Sequence, residues 1–153
     1  MGMLYMASDH RGFRLKEELK AYLAEQGYEI EDAGAFSFDA GDDYVDFARL
    51  AAEKIAENPA VHLGIFICGS GHGVDIAANK YRGLRAALCW NRQVAAQSRT
   101  HDDANVLVLA ADWTEAPDAK DIVTVWLGAQ FSGEDRHVRR LQKIGEIEEK
   151  NFK

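Results

Sequence analysis

Four short clusters in this sequence carry side chains able to move protons or hold anions. Ser8-Asp9-His10-Arg11-Gly12 sets a carboxylate, an imidazole and a guanidinium side by side. Cys68-Gly69-Ser70-Gly71-His72-Gly73 places a thiol at the head of a glycine loop. Arg99-Thr100-His101-Asp102-Asp103 holds a second imidazole among charges, and Arg136-His137-x-Arg139-Arg140 is basic. Thiol, imidazole and carboxylate are general acid–base groups. A thiol's ordinary pKa of about 8.5 lies close enough to neutrality for proton transfer.

The glycine loop narrows the chemistry. Gly69, Gly71 and Gly73 let the backbone turn tightly and aim several N–H groups at one point, a nest that holds an anion at a helix start. The spacing is G-x-G-x-G, not the dinucleotide G-x-G-x-x-G, and the next strand, ending Leu88-Cys89-Trp90, carries no acidic residue. No Gly-Lys-Ser/Thr follows, which excludes a Walker loop. Two readings stay open: a nest with a thiol at its edge, or a plain strand-to-helix turn with Cys68 as a small buried hydrophobe.

The other clusters also have two readings. Asp9 and His10 form an acid–base pair, or Asp9 caps the following helix while His10 packs. His101 is a catalytic acid, or a helix-end imidazole favoured by the dipole. Arg136 and Arg140 share a helix face, with His137 beside it, and make a phosphate clamp or a solvated basic face paired with Glu134 and Asp135.

Short apolar runs alternating with amphipathic stretches must position these clusters. Strands are expected at 4–7, 28–31, 63–68, 85–89 and 106–109, and helices at 14–26, 44–57, 76–79 with the turn before it, 91–100, 118–127 and 136–151. The run LGIFIC at 63–68 is apolar throughout but for Gly64, as in a buried parallel strand. The pattern predicts an α/β fold: a three-layer α/β/α arrangement with helices on both faces of a five-stranded parallel sheet, as one domain over 1–153. Ligands of such sheets bind beyond the carboxyl ends of the strands, where the Asp9 and Cys68 clusters fall. The His101 cluster enters at the other end of a strand in sequence, but it closes a helix with room to overhang that edge, which would gather a thiol, two imidazoles and a carboxylate there. Val138, Leu141, Ile144 and Ile147 form a narrow apolar stripe on the last helix, for its own domain or a partner chain.

Bulk properties bound the partners. The 153 residues are 47% hydrophobic and 28% charged, a globular balance. A net charge of −7 disfavours nucleic acid but not a small anion. No stretch matches a membrane helix, and Met1 to Ser8 lacks the positive charge of a secretory leader. A cytoplasmic protein with two free thiols is expected.

The residues S-D-H-x-G-F at 8–13, D-Y at 43–44, I-C-G-S-G-x-G at 67–73, I-A-A-N-K at 76–80, G-L-R-A-A-L-C at 83–89, H-x-D-A-N-V-L at 101–107 and R-H-x-x-R at 136–140 resemble the family of ribose-5-phosphate isomerase B and galactose-6-phosphate isomerase. The match is collinear over almost the whole chain. The resemblance implies an aldose–ketose isomerase acting on a sugar phosphate through an enediolate, without metal or organic cofactor. It implies a Rossmann-like sheet flanked by helices, in a homodimer or dimer of dimers with a shared active site. By this resemblance Cys68 is the proton-transfer base and His101 the ring-opening group. Asp9 and His10 contact the ring and its hydroxyls. Ser70, Gly69, Gly71 and Gly73 cradle the enediolate, and Tyr44 lines the site. Arg136, His137 and Arg140 grip phosphate from the neighbouring subunit.

The chain departs from that pattern at several positions. Asp112 replaces an arginine that helps hold phosphate, and Asp102 replaces an asparagine next to the ring-opening histidine. His72 stands for an apolar or amide residue, and Asp75 for a small one. Arg11 stands where a small residue is common, and would supply the positive charge that position 112 lacks. Two alternatives follow: an isomerase for a non-phosphorylated or atypical sugar, prompted by Asp112, or a non-catalytic partner subunit or sugar-phosphate sensor. The presence of His10, Cys68 and His101 together argues against the latter.

Overall fold

Strands apolar on both faces need helices on both sides. The computed structural model, which describes residues 2–152, has that arrangement. In chain order the elements are β1 (Leu4–Ser8), α1 (Phe13–Glu25), β2 (Ile30–Asp32), α2 (Tyr44–Glu57), β3 (Leu63–Cys68), α3 (His72–Ala78), β4 (Ala86–Leu88), α4 (Arg92–Asp102), β5 (Val106–Ala110), α5 (Ala116–Gly128) and α6 (Asp135–Asn151). All strand pairs are parallel, in the order β2-β1-β3-β5-β4.

The two-residue period of a strand sorts the core into two layers. Met6, Ile65, Ile67, Leu107 and Leu109 pack against Leu19 and Leu23 of α1 and Ile122 and Trp126 of α5. The alternate residues Tyr5, Ala7, Phe66, Cys68, Val106 and Val108 face Ala48, Ala51, Ala52 and Ile55 of α2 and Val74 and Ala78 of α3. The alternation therefore turns Cys68 toward α2 and α3. The alanine face of α2 lets that helix lie close to the sheet.

Most boundaries fall near their sequence expectations, with instructive shifts. β2 begins at Ile30, not Tyr28, because the Tyr28 N–H still closes α1 on the Leu23 carbonyl and Gly27 takes a positive φ of 88°. Asn91 caps α4 as expected, its side chain accepting from the Val94 N–H at 2.8 Å. α4 runs on to Asp102. On α6 only His137 is buried, and Ile144 and Ile147 stay exposed. Among the described residues no helix is long and apolar enough to cross a membrane.

Strand order makes the functional edge. The chain leaves β1 toward β2 and returns to β3 on the other side of β1. The two following loops diverge there and leave a crevice beyond the carboxyl ends.

Candidate active site

β1 and β3 are paired as far as Ser8 and Ile67, so Asp9 and Cys68 emerge side by side. Together with Arg11, Tyr44, Gly69, Ser70 and Gly73 they line a cavity of about 350 Å³. Cys68 is only 4% exposed, because its strand position faces the α2–α3 layer, yet its side chain borders that cavity. The second thiol behaves differently. Cys89 lies wholly in the core near Ser98, and burial pushes it up to about 11.

The glycine loop turns where Gly71, with φ of 78°, starts α3. A side chain at Gly71 would also meet Leu88 at 2.6 Å. His72 N–H donates to Ser70 Oγ at 3.3 Å. The N–H groups of Gly69, Ser70 and Gly71 have no protein acceptor among the hydrogen bonds of the described residues. They are free donors around the thiol, the arrangement a developing oxyanion requires. Tyr44 opens α2 and lays its ring against Gly73. A Cβ there would sit 2.5 Å from the ring carbon Cε2.

Asp9 combines the two readings left open for it. One oxygen accepts the Gly12 N–H at 3.1 Å and shapes the turn into α1, while the residue still lines the cavity. His10 leans away from Cys68 into an adjoining cavity of about 720 Å³ bordered by Arg11, Arg14 and Phe38. Its Nδ1 lies 2.7 Å from Asp42 Oδ1, which also accepts the His10 main-chain N–H at 3.0 Å. Asp9, His10 and Asp42 bring three ligand-type atoms within 4.8 Å of one another. The His10–Asp42 hydrogen bonds already occupy that geometry and read as a device that orients an imidazole.

Arg11 pairs with Asp112, from the end of β5, across the main chain of Gly69. A Cβ at Gly69 would lie 2.6 Å from Arg11 Nε and 2.9 Å from Asp112 Oδ2, so a side chain there would have to displace this bridge. Arg11 borders both cavities and is the wall between them. Its charge faces a carboxylate there, so the bridge as a whole carries no net charge.

Loop 33–43 carries Phe38 and Asp42, and a buried lysine holds it. Lys16 is fully buried on α1 and donates to Asp32 Oδ1 and to the Ala35 carbonyl, each at 2.6 Å. Lys20, one turn on, takes the other Asp32 oxygen at 2.6 Å. Burial alone would raise the Asp32 carboxyl. The hydrogen bonds from Lys16, Lys20 and the Gly34 N–H outweigh it and hold its pKa below the ordinary value.

The expectation that His101 overhangs the Cys68 edge is corrected by the structure. α4 runs antiparallel to the strands, so its last turn lies at the opposite edge of the sheet. Arg85, just before β4, fixes that turn by donating to the carbonyls of Asp102 at 3.0 Å and Asp103 at 2.7 Å. Ala110 is the residue beside Cys68, and Val106 lies at the far end of the same strand. At roughly 3.3 Å per residue, that strand alone sets His101 more than ~13 Å from the thiol. His101 instead joins Arg136, His137 and Arg140 in a second group, and Asp102 borders a groove with Ile144 and Ile147 of α6. His101 and His137 stack with centroids 4.5 Å apart. Burial lowers the His137 pKa, and His101, Arg136 and Arg140 lower it further against the opposing pull of Glu134. The two groups of candidate residues therefore lie at opposite edges of the sheet. Asp42, Lys16 and the His101–His137 stack were not singled out from sequence. Only Lys16 and Lys20, four apart on one helix face, left a readable trace.

Comparisons with known proteins identify the family and the fold. The model of the "Ribose/Galactose Isomerase" family matches residues 4–144. The chain is similar to ribose-5-phosphate isomerase B of Escherichia coli, 41% identical over 150 residues that cover 98% of this chain and 99% of that protein. It is also similar to the enzyme of that name from Mycolicibacterium paratuberculosis, 39% identical with coverage of 95% and 91%. Among solved structures, ribose-5-phosphate isomerase B of Mycoplasma genitalium with bound ribulose-5-phosphate superposes with a TM-score of 0.94, at 42% identity and 97% coverage of both chains. The Clostridium thermocellum enzyme gives 0.91 at 44% identity, covering 97% of this chain and 98% of that one.

Proposed function

The chain belongs to the ribose/galactose isomerase family, and from that premise we propose that it interconverts ribose 5-phosphate and ribulose 5-phosphate, with Cys68 as the base. The single observation that carries this reading is the Cys68 thiol beside a cavity and a loop of free N–H donors at the crevice between β1 and β3. The substrate comes from the relatives, whose names specify it.

The steps balance as follows. The ring C1–O bond of the furanose breaks; the ring oxygen gains a proton as the C1 hydroxyl loses one, leaving an open aldehyde. The Cys68 thiolate takes the C2 proton, and the electron pair moves through C1 onto O1, forming an enediolate. The Ser70 and Gly71 N–H groups face the charge that develops on those oxygens. The O2 proton passes to O1, the thiol returns its proton to C1, and the ketone forms at C2. Asp9 binds the sugar hydroxyls, and His10, held by Asp42, meets the end of the chain.

Ring opening needs an imidazole that this chain places at the other edge. We therefore assign the complete site to a dimer, in which His101, Arg136 and Arg140 of a second copy complete the Cys68 half-site. One neighbouring chain supplies both the ring-opening group and the phosphate grip.

The experiment is turnover of a panel of tetrose, pentose and hexose phosphates by the purified protein. Pentose phosphate as the best substrate supports the reading. No turnover of any aldose phosphate by the dimer overturns it. The Arg11–Asp112 bridge favours one second reading, an unphosphorylated sugar, because it leaves no net charge at that wall. Failure of millimolar inorganic phosphate to compete would select it.

A further inference from the structure

The stack of His101 on His137 raises the question of what holds the lower ring. His137 is 3% exposed and rests between His101 and the tilted ring of Phe131, 6.5 Å away. Its Nδ1 lies 2.6 Å from Ser132 Oγ. Ser132 is exposed but fixed at three points: its N–H donates to the Thr100 carbonyl at 3.0 Å, its Oγ accepts the Glu134 N–H at 3.2 Å, and the same oxygen meets His137. Thr100 is the neighbour of His101 in α4. Ser132 thus ties the turn that carries His101 to the ring on which His101 stacks.

We propose that Ser132 is a positioning residue for His101: its hydroxyl donates to His137 Nδ1 and locks that ring, as the neutral Nε2–H tautomer, into the platform beneath His101. The donating direction belongs to the proposal: Ser132 Oγ accepts from the Glu134 N–H, its own O–H has no other partner among the described residues, and His137 Nδ1 lies within reach to take it. A neutral platform matters because a protonated one would repel a proton on His101 at 4.5 Å. The charged groups facing His137 are His101 from α4 and Glu134, Arg136 and Arg140 from its own segment, and burial of the ring disfavours its charged form.

This inference rests on the reading of His101 as the ring-opening group, and the test keeps the two separable. Ribose 5-phosphate reacts from a closed ring, whereas ribulose 5-phosphate, with its C5 hydroxyl esterified, cannot close a furanose. Ser132→Ala is expected to lower turnover of ribose 5-phosphate about tenfold, the effect of a misplaced group. Exchange of the ribulose 5-phosphate C1 hydrogen with deuterated water should stay unchanged, since that step uses the Cys68 half-site and involves no ring opening. Ser132→Thr keeps the hydroxyl, has solvent for its methyl, and should restore turnover. Nitrogen NMR of the imidazoles should show the His137 Nε2–H tautomer in the wild type and a mixture in Ser132→Ala. An unchanged tautomer with unchanged turnover overturns the inference, as does equal loss in both assays. If His101→Ala itself leaves ribose turnover intact, the reading of His101 fails instead, whatever the NMR shows.

Discussion

Gly73→Ala separates activity from stability in this fold. The added methyl would lie 2.5 Å from Tyr44 Cε2 and 2.8 Å from Cε1, against a comfortable carbon–carbon separation of about 3.5–4.0 Å. The tyrosine ring must retreat by about 1 Å. It can do so cheaply, because Tyr44 is 38% exposed and its far end is the obstacle. An off-rotamer ring costs about 0.5–1.5 kcal/mol. Against this, Gly73 lies in the first turn of α3, where alanine is favoured over glycine by up to about 1 kcal/mol, the helix-interior value. The two nearly cancel, so the thermal midpoint should move by less than about 4 °C. The cavity wall, however, has moved beside Cys68. A displacement of that size costs up to ~100-fold in rate. The expected kcat/KM is 10- to 100-fold below wild type, or about 1.4–2.7 kcal/mol of transition-state stabilisation. Isomerisation kinetics and differential scanning calorimetry measure the two quantities on the same sample. In a Tyr44→Ala background the further change Gly73→Ala should cost nothing more, since the obstacle is gone. Full activity in Gly73→Ala, or a loss in the double variant equal to the sum of the singles, would refute the reasoning.

Three other perturbations follow from the site. Lys16→Met leaves the Ala35 carbonyl and one Asp32 oxygen without their buried donor and should cost about 3 kcal/mol, read as a lower urea midpoint; an unchanged midpoint contradicts the anchoring role. Because the Asp32 pKa is held below its ordinary 3.8, its contribution to stability is present above that pH and fades as pH falls through the lowered value. Lys16→Met should flatten that acid limb. Mixing and reassembling inactive Cys68→Ala and His101→Ala chains should restore about a quarter of wild-type activity, since half the dimers are mixed and each mixed dimer has one complete site; no recovery denies the shared site. Asp112→Asn frees the Arg11 guanidinium and should tighten competition by inorganic phosphate about fivefold, roughly 1 kcal/mol of exposed charge; unaltered competition would show that Arg11 does not face the anion.

The sheet and the Cys68 loop were legible because they are local. Continuous apolar runs at 63–68 and 106–110 announce buried strands, and three alternate glycines after a strand announce a tight turn. His101 precedes β5 and so enters at the other end of a strand in sequence; only an overhanging helix would bring it to the Cys68 edge, and the direction of α4 rules that out. The ties that tune the site were invisible for a different reason. Lys16–Asp32 and His10–Asp42 join residues 16 and 32 apart on separate elements, and packing alone sets their register. Arg11 and Asp112, which read as two departures from a pattern, proved to be one ion pair. Ser132, a loop serine with no periodic signal, meets His137 only because the chain folds back onto Thr100.

Hydrogen exchange at the substrate carbon tests the role of Cys68 most directly. With ribulose 5-phosphate in deuterated water, the wild type should place deuterium at C1. The Cys68→Ala variant should lose that exchange by at least ~1000-fold while still binding the sugar. Cys89→Ala, which removes the buried core thiol, should retain it. Persistent exchange by folded Cys68→Ala protein would mean that another group moves the proton.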